Sequence, residues 1–125
     1  MIDHVSIGVR DLAKARRFYS AVLAPLEMSE LREWPGEAVG YGKKYPEFWI
    51  NHRSGLIVSD TGVHVCLRAS STQAVDAFHA AALEAGATSG GAPGPRPKYF
   101  KEYYAAFICD SDGNRVEAMT VMKTD

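Results

Sequence analysis

The chain of 125 residues is 46% hydrophobic and 23% charged, which suits one compact domain with a real core. Its net charge of −1 excludes the basic surface expected of a partner for nucleic acid or an anionic membrane. No leader-like segment or long apolar span is evident, and Cys66 and Cys109 sit in apolar strand-like runs. They read as reduced core thiols, so a cytoplasmic location is expected.

The first element is DHVSIGV, Asp3 to Val9. Val5, Ile7 and Val9 alternate with His4, Ser6 and Gly8, the period of a strand with one apolar and one polar face. Asp11 is a good N-cap for a helix whose apolar stripe is Leu12, Ala15, Phe18, Tyr19 and Val22, and Pro25 is expected to end it soon after Leu23. Extended runs follow at 28–34, 38–41 and 47–51, broken by Pro35–Gly36 and Tyr45–Pro46.

The second half repeats this order. With His4 laid on His64, HVSIGV falls on HVCLRA and ARRFYSAVL falls on VDAFHAAAL, so each half begins as strand then helix. Ser70, Ser71 or Thr72 can cap the second helix, and Gly86 stops it. Short extended runs are expected near 87–89, 103–109 and 115–121, the last two joined by a hairpin turn at Asp112–Gly113–Asn114. GGAPGPRPK, residues 90–98, is rich in Gly and Pro and predicts a loop, with mobility. The order βαβββ twice over predicts an α+β fold, with module one at about 1–58 and module two at about 60–125 of a single domain.

Phasing the strands puts His4, Ser6 and Gly8 on one face, His64, Cys66 and Arg68 on another, and Arg115, Glu117 and Met119 on a third. The opposite faces are apolar and must cover the helices. If the sheet curls, His4, His64 and Glu117 converge. Two neutral imidazoles and one carboxylate form a facial triad suited to Fe(II), Mn(II), Zn(II) or Ni(II), with positions open for substrate and water. Such an ion polarises a substrate oxygen or acidifies a water. The bland alternative is three solvated or hydrogen-bonded side chains, since the separations match no local metal motif.

The segments DHVSIGVRDLAKARRFYSAVL, GVHVCLRA and FICDSDGNRVEAM together resemble the vicinal oxygen chelate superfamily, which includes glyoxalase I, extradiol dioxygenases, methylmalonyl-CoA epimerase, fosfomycin-resistance enzymes and bleomycin-binding proteins. The resemblance runs over nearly the whole chain. It implies a U-shaped cavity of mixed sheet around one divalent metal (Zn, Ni, Mn or Fe), with His4, His64 and Glu117 as ligands. Glyoxalase I, a lactoylglutathione lyase, uses a fourth ligand that also acts as base; here that slot falls near Trp49, with Glu47 one pleat away on the same face. That departure weakens glyoxalase I activity itself.

Around the cavity, Arg68, Arg96, Lys98, Tyr103 and Trp49 are candidates to contact a small, anionic or oxygen-rich substrate. Glu47, Tyr103 and Tyr104 are candidates to move the proton. Tyr19 and His79 are expected to pack or face water, and His52 has no assigned role. Three classes compete. The first is a metal-dependent lyase, isomerase, epimerase or dioxygenase; the second is an antibiotic-modifying transferase; the third is a metal-free protein that sequesters a drug. Retention of all three ligand types and a balanced charge rank sequestration last. The resemblance also implies a homodimer, in some relatives with the metal site built from two chains.

Overall fold

The computed structural model describes residues 1–55 and 61–123. The expected boundary between modules, at 58–60, lies outside the described residues. Strand β1 (Val5–Val9) leads to helix α1 (Leu12–Leu23), then strands β2 (Ser29–Trp34), β3 (Ala38–Gly42) and β4 (Phe48–His52). The second module runs β5 (Val65–Arg68), α2 (Thr72–Glu84), β6 (Thr88–Pro95), β7 (Tyr103–Cys109) and β8 (Arg115–Val121). The two sheets have equivalent orders, β1-β4-β3-β2 and β5-β8-β7-β6, each with one parallel pair, β1 with β4 and β5 with β8. The fold is therefore α+β, two βαβββ units, as the sequence pattern predicts.

Local chemistry sets the helix ends. The Asp11 carboxylate accepts from the Lys14 amide at 3.0 Å, and the Ser71 hydroxyl accepts from that of Ala74 at 3.1 Å. Gly86, at φ 100°, takes the left-handed turn that closes α2. Helix α1 ends at Leu23 as expected, and Pro25 lies in the short 3₁₀ turn Ala24–Leu26 that follows, where its missing N–H goes unneeded.

Two expectations are corrected. Residues 90–95 of the Gly/Pro stretch belong to β6, leaving only 96–98 outside it. The strand lies at the sheet edge and pairs with β7 through irregular register between Ser89 and Gly91 and between Gly91 and Gly94. An edge strand uses only half its backbone groups, so Pro93 and Pro95 are tolerated. A Cβ at Gly91 would lie 3.1 Å from the Phe107 ring, so the small residue lets the strand pass over it. The second correction concerns the thiols. Both are free, but Cys66 is exposed and Cys109 only half-buried. Cys66 shares its strand face with His64 and Arg68, away from the helices.

One apolar cluster joins the modules: Val9, Tyr19, Val22, Leu23, Phe48 and Ile50 pack with Val75, Phe78, Ala106, Ile108 and Val116. Helices α1 and α2 touch one another within it. They cover one face of each sheet, and the opposite faces carry exposed Ser6, Cys66 and Arg68.

The closing turn locks the units. Buried Asp110 accepts from the amides of Asp112 and Asn114, from the Asn114 side chain and, at 2.6 Å, from the Tyr19 hydroxyl. Asn114 also donates to the Gly8 carbonyl, and Arg10 donates to Asp112 and to the Ser111 carbonyl. The sequence motif D-x-D-G-N is thus a clasp between modules. Tyr19 and His79, at matching helix positions, are both buried, His79 against the Ser89 hydroxyl at 2.8 Å.

Candidate functional site

Parallel pairing of β5 with β8 sets Cys66 opposite Glu117, and antiparallel pairing with β7 sets Phe107 opposite Glu117 on its other side. His64 stands one residue before β5 and reaches back, its Nε2 lying 3.0 Å from Glu117 Oε1. The Glu117 residue is 3% exposed. A buried carboxylate needs partners for both oxygens, and the second is met by the Tyr103 hydroxyl, which donates to Oε2 at 2.5 Å. Burial, together with that carboxylate, raises the Tyr103 pKa above the ordinary phenol value, so the hydroxyl stays a donor.

Tyr99 and Phe100 set their rings against Tyr103 at 5.0 and 5.1 Å, and Phe107 lies 6.0 Å from the His64 ring. The Cys66 sulfur lies 3.9 Å from the Tyr103 hydroxyl. Although the residue keeps exposed surface, its thiol is pushed up to about 11, first by loss of water around the sulfur and then by the Glu117 charge.

Module one presents its histidine differently. His4 is exposed, and its Nδ1 lies 2.7 Å from Asp3 Oδ1. An ionised carboxylate only accepts, so Nδ1 carries the hydrogen and the neutral ring offers its lone pair at Nε2. Tyr45 donates to both Asp3 oxygens, at 2.8 and 3.0 Å. The bonds from His4 and Tyr45 hold the Asp3 carboxyl below its usual pKa.

Beside His4 stands Trp49, edge-on at 6.5 Å between ring centres and stacked on Trp34 at 4.9 Å. Its indole N–H donates to the Pro46 carbonyl at 2.9 Å. Gly40 makes this placement possible, because a Cβ there would sit 2.8 Å from the Trp49 ring. A groove of about 610 Å³ runs past His4, Trp34, Tyr45, Trp49, Asn51 and Arg53.

The structure therefore brings His64, Glu117 and Tyr103 together and leaves His4 apart. Among the described residues, no three His, Cys, Asp or Glu side chains gather to hold an ion. Ser6 pairs with Trp49 as Cys66 pairs with Glu117, so Trp49 does occupy the slot equivalent to Glu117. Glu47 and Arg68 line a separate cavity of about 290 Å³ with Lys43 and Met28. Arg96 binds the carbonyls of Ala92, Gly94 and Pro95 in its own segment and lies over the Phe107 ring, while Lys98 lies over Tyr99. Tyr104 points to the helix side, where its hydroxyl donates to Asp76 at 2.6 Å.

Sequence reasoning passed over Tyr45, Trp34 and Asp3. Only Asp3 left a signal, by its adjacency to His4; Tyr45 reaches it from the β3–β4 loop and Trp34 through strand pairing, neither of which a local pattern announces.

A model of the Glyoxalase/Bleomycin resistance protein/Dioxygenase superfamily matches residues 1–118. A crystal structure of a glyoxalase/bleomycin resistance protein from Albidiferax ferrireducens is similar at 30% identity and a TM-score of 0.81, over 94% of this chain and 97% of that one. A glyoxalase/bleomycin resistance protein/dioxygenase family enzyme from Burkholderia phytofirmans shares the fold at 21% identity and TM-score 0.75, over 97% and 98% of the two chains. The fosfomycin resistance protein FosX from Listeria monocytogenes does so at 17% identity and TM-score 0.70, over 96% and 92%. No curated protein matches the chain.

Proposed function

Because the chain belongs to the glyoxalase/bleomycin resistance protein/dioxygenase superfamily, we propose that it is a divalent-metal-dependent enzyme of the glyoxalase type, acting on a small oxygen-rich substrate between two copies of itself. The observation that carries this reading is the contact at 3.0 Å between His64 Nε2 and Glu117 Oε1 on an otherwise buried carboxylate. Two borderline donors held that close, with the second oxygen already tied to Tyr103, fit two positions of a three-donor site. The third donor type, His4, is exposed on the other sheet with its Nε2 free of protein partners among the described residues. A second copy can supply His4 to the His64–Glu117 pair, and reciprocally, which gives an isologous dimer with two equivalent sites.

His64, Glu117 and the partner's equivalent of His4 would hold the ion. When bound, such an ion supplies Lewis acidity toward substrate oxygens. The chain's own residues do the rest. Asp3, held by Tyr45, fixes the tautomer of His4 so that Nε2 faces outward. Tyr103 restrains Glu117 through Oε2 and keeps its proton near neutral pH, so it is the proton-bearing group in contact with the ligating carboxylate. Among the described residues of one chain, neither Glu47 nor Tyr104 is placed against this pair, and the proposal assigns them no step.

The test is complementation. His4→Ala and His64→Ala, each purified alone, are expected to lose bound metal by elemental analysis. Unfolded together and refolded as a mixture, they form heterodimers with one intact site, restoring about a quarter of wild-type metal. A mixture that dimerises yet stays empty defeats the shared site. Wild-type protein that takes up no metal on reconstitution defeats the metalloenzyme reading itself.

A further inference from the structure

We infer that the groove beside His4 takes a planar aromatic acid, a flat ring on the tryptophan pair with its carboxylate at Arg53. The inference deepens the proposed function and rests on the reading that the open sheet faces line the cleft. Stacked Trp34 and Trp49, with planes 23° apart, give the groove a flat wall. Trp49 is nearly enclosed at 9% exposure, but Trp34 is 56% exposed and Tyr45 52%. A large aromatic side chain left that exposed over an already ordered partner offers a second stacking face at little conformational cost.

The groove's order is built in. Trp49 is fixed at its N–H by the Pro46 carbonyl and fits only because position 40 is glycine. Tyr45 is fixed by Asp3. Trp34 rests on that anchored Trp49 ring, so it has less freedom to lose when a ligand ring settles on it.

Charge selects the second feature. Arg53 lines the groove and donates one hydrogen bond to the neighbouring His52 carbonyl, leaving further guanidinium donors for a carboxylate. Asp3, which holds Tyr45 at the groove, has its own charge met by His4 and Tyr45. A saturated acid would keep the charge contact and lose the stack; a neutral aromatic amide would keep the stack and lose the charge.

The chain has two tryptophans, both in this groove, so its indole N–H NMR signals report on it alone. Chelated wild-type protein is titrated with 2-naphthoate, 2-naphthamide and decahydro-2-naphthoate. Expected are saturable shifts of both indole signals with 2-naphthoate, and binding weaker by about threefold to tenfold for the saturated acid, the range of one ring contact. Trp34→Ala should weaken 2-naphthoate to the level of the saturated acid, and Arg53→Gln to that of the amide. No saturable shift, or equal affinity for all three compounds, overturns the ligand class. So does a change of oligomeric state in Trp34→Ala without loss of naphthoate binding, which would make the platform a contact between copies. Wild-type protein that holds metal but ignores 2-naphthoate sinks this inference alone; naphthoate binding in protein unable to hold metal sinks the metalloenzyme reading alone.

Discussion

The same slot holds Trp49 in one module and Glu117 in the other. Both face the second residue after a histidine, Ser6 in β1 and Cys66 in β5, across a parallel strand pair. The two modules share this register and a histidine at the equivalent position, but the facing side chain is an indole in one and a carboxylate in the other. Each side chain has its own support. Trp49 needed a glycine beneath it and a second indole above; Glu117 needed a tyrosine for its spare oxygen. The two modules thus present different side chains at one equivalent slot, a stacked indole in the first and a buried, hydrogen-bonded carboxylate in the second.

The sharpest way to break that contrast is to remove each side chain. Trp49→Ala should destabilise the fold by about 3 kcal/mol, at the low end for a large buried aromatic because one side of the ring borders an open groove. Glu117→Ala should lose about 1–3 kcal/mol, the cost of leaving the Tyr103 hydroxyl without its acceptor. Urea midpoints at unchanged m-value measure both. If Glu117→Ala proves the more damaging by far, the carboxylate is chiefly structural. Gly40→Ala sharpens the point: a methyl group 2.8 Å from the Trp49 ring and 2.9 Å from Pro46 Cβ should cost about 1–3 kcal/mol by overpacking. It should also disperse the Trp49 indole signal while leaving metal content as in wild type.

Glu117→Gln separates stability from ligation. An amide oxygen still accepts from Tyr103, so the unfolding midpoint should stay within about 1 kcal/mol of wild type. Metal content should nevertheless fall below detection, because a neutral amide is a poor ligand beside an imidazole. Retention of metal by this variant would move the ligating role away from Glu117.

How much of this was legible in the chain follows from which interactions are local. The modules, caps and strand phases were readable because period and turn chemistry act over a few residues, as with Asp11, Ser71 and Gly86. The Gly/Pro stretch misled because composition reports backbone preference and not position in a sheet, and an edge strand forgives what a central one does not. Cys66 misled in another way: a small apolar side chain fits an open face as readily as a core. His64, Glu117 and Trp49 could be phased from the alternation of their strands. Tyr103 and Trp34 reach their places through sheet register and ring packing, and Tyr45 through a loop hydrogen bond to Asp3; nothing within their own segments singles out the atom each one touches.

Cys66 yields the smallest effect and the finest probe of the Glu117 pocket. The module-one equivalent, Ser6, accepts from Asn51 at 2.7 Å and cannot report a charge; the thiol can. Desolvation of the sulfur, on a residue otherwise exposed, is the first cause of its upward shift from an ordinary value of 9.0 to about 11, and the Glu117 charge the second. Because the protonated form is favoured in the fold, stability is untouched below pH 9.0 and declines as pH rises toward about 11. Alkylation of Cys66 by iodoacetamide, followed by mass spectrometry of its peptide, should accelerate with a midpoint near 11 in wild type. In Glu117→Gln the midpoint should drop but stay above 9.0, since the sulfur's partial desolvation remains when the charge is gone. A midpoint unmoved by the substitution would mean that the carboxylate does not set the field on this face, and that the contrast with Trp49 is one of shape alone.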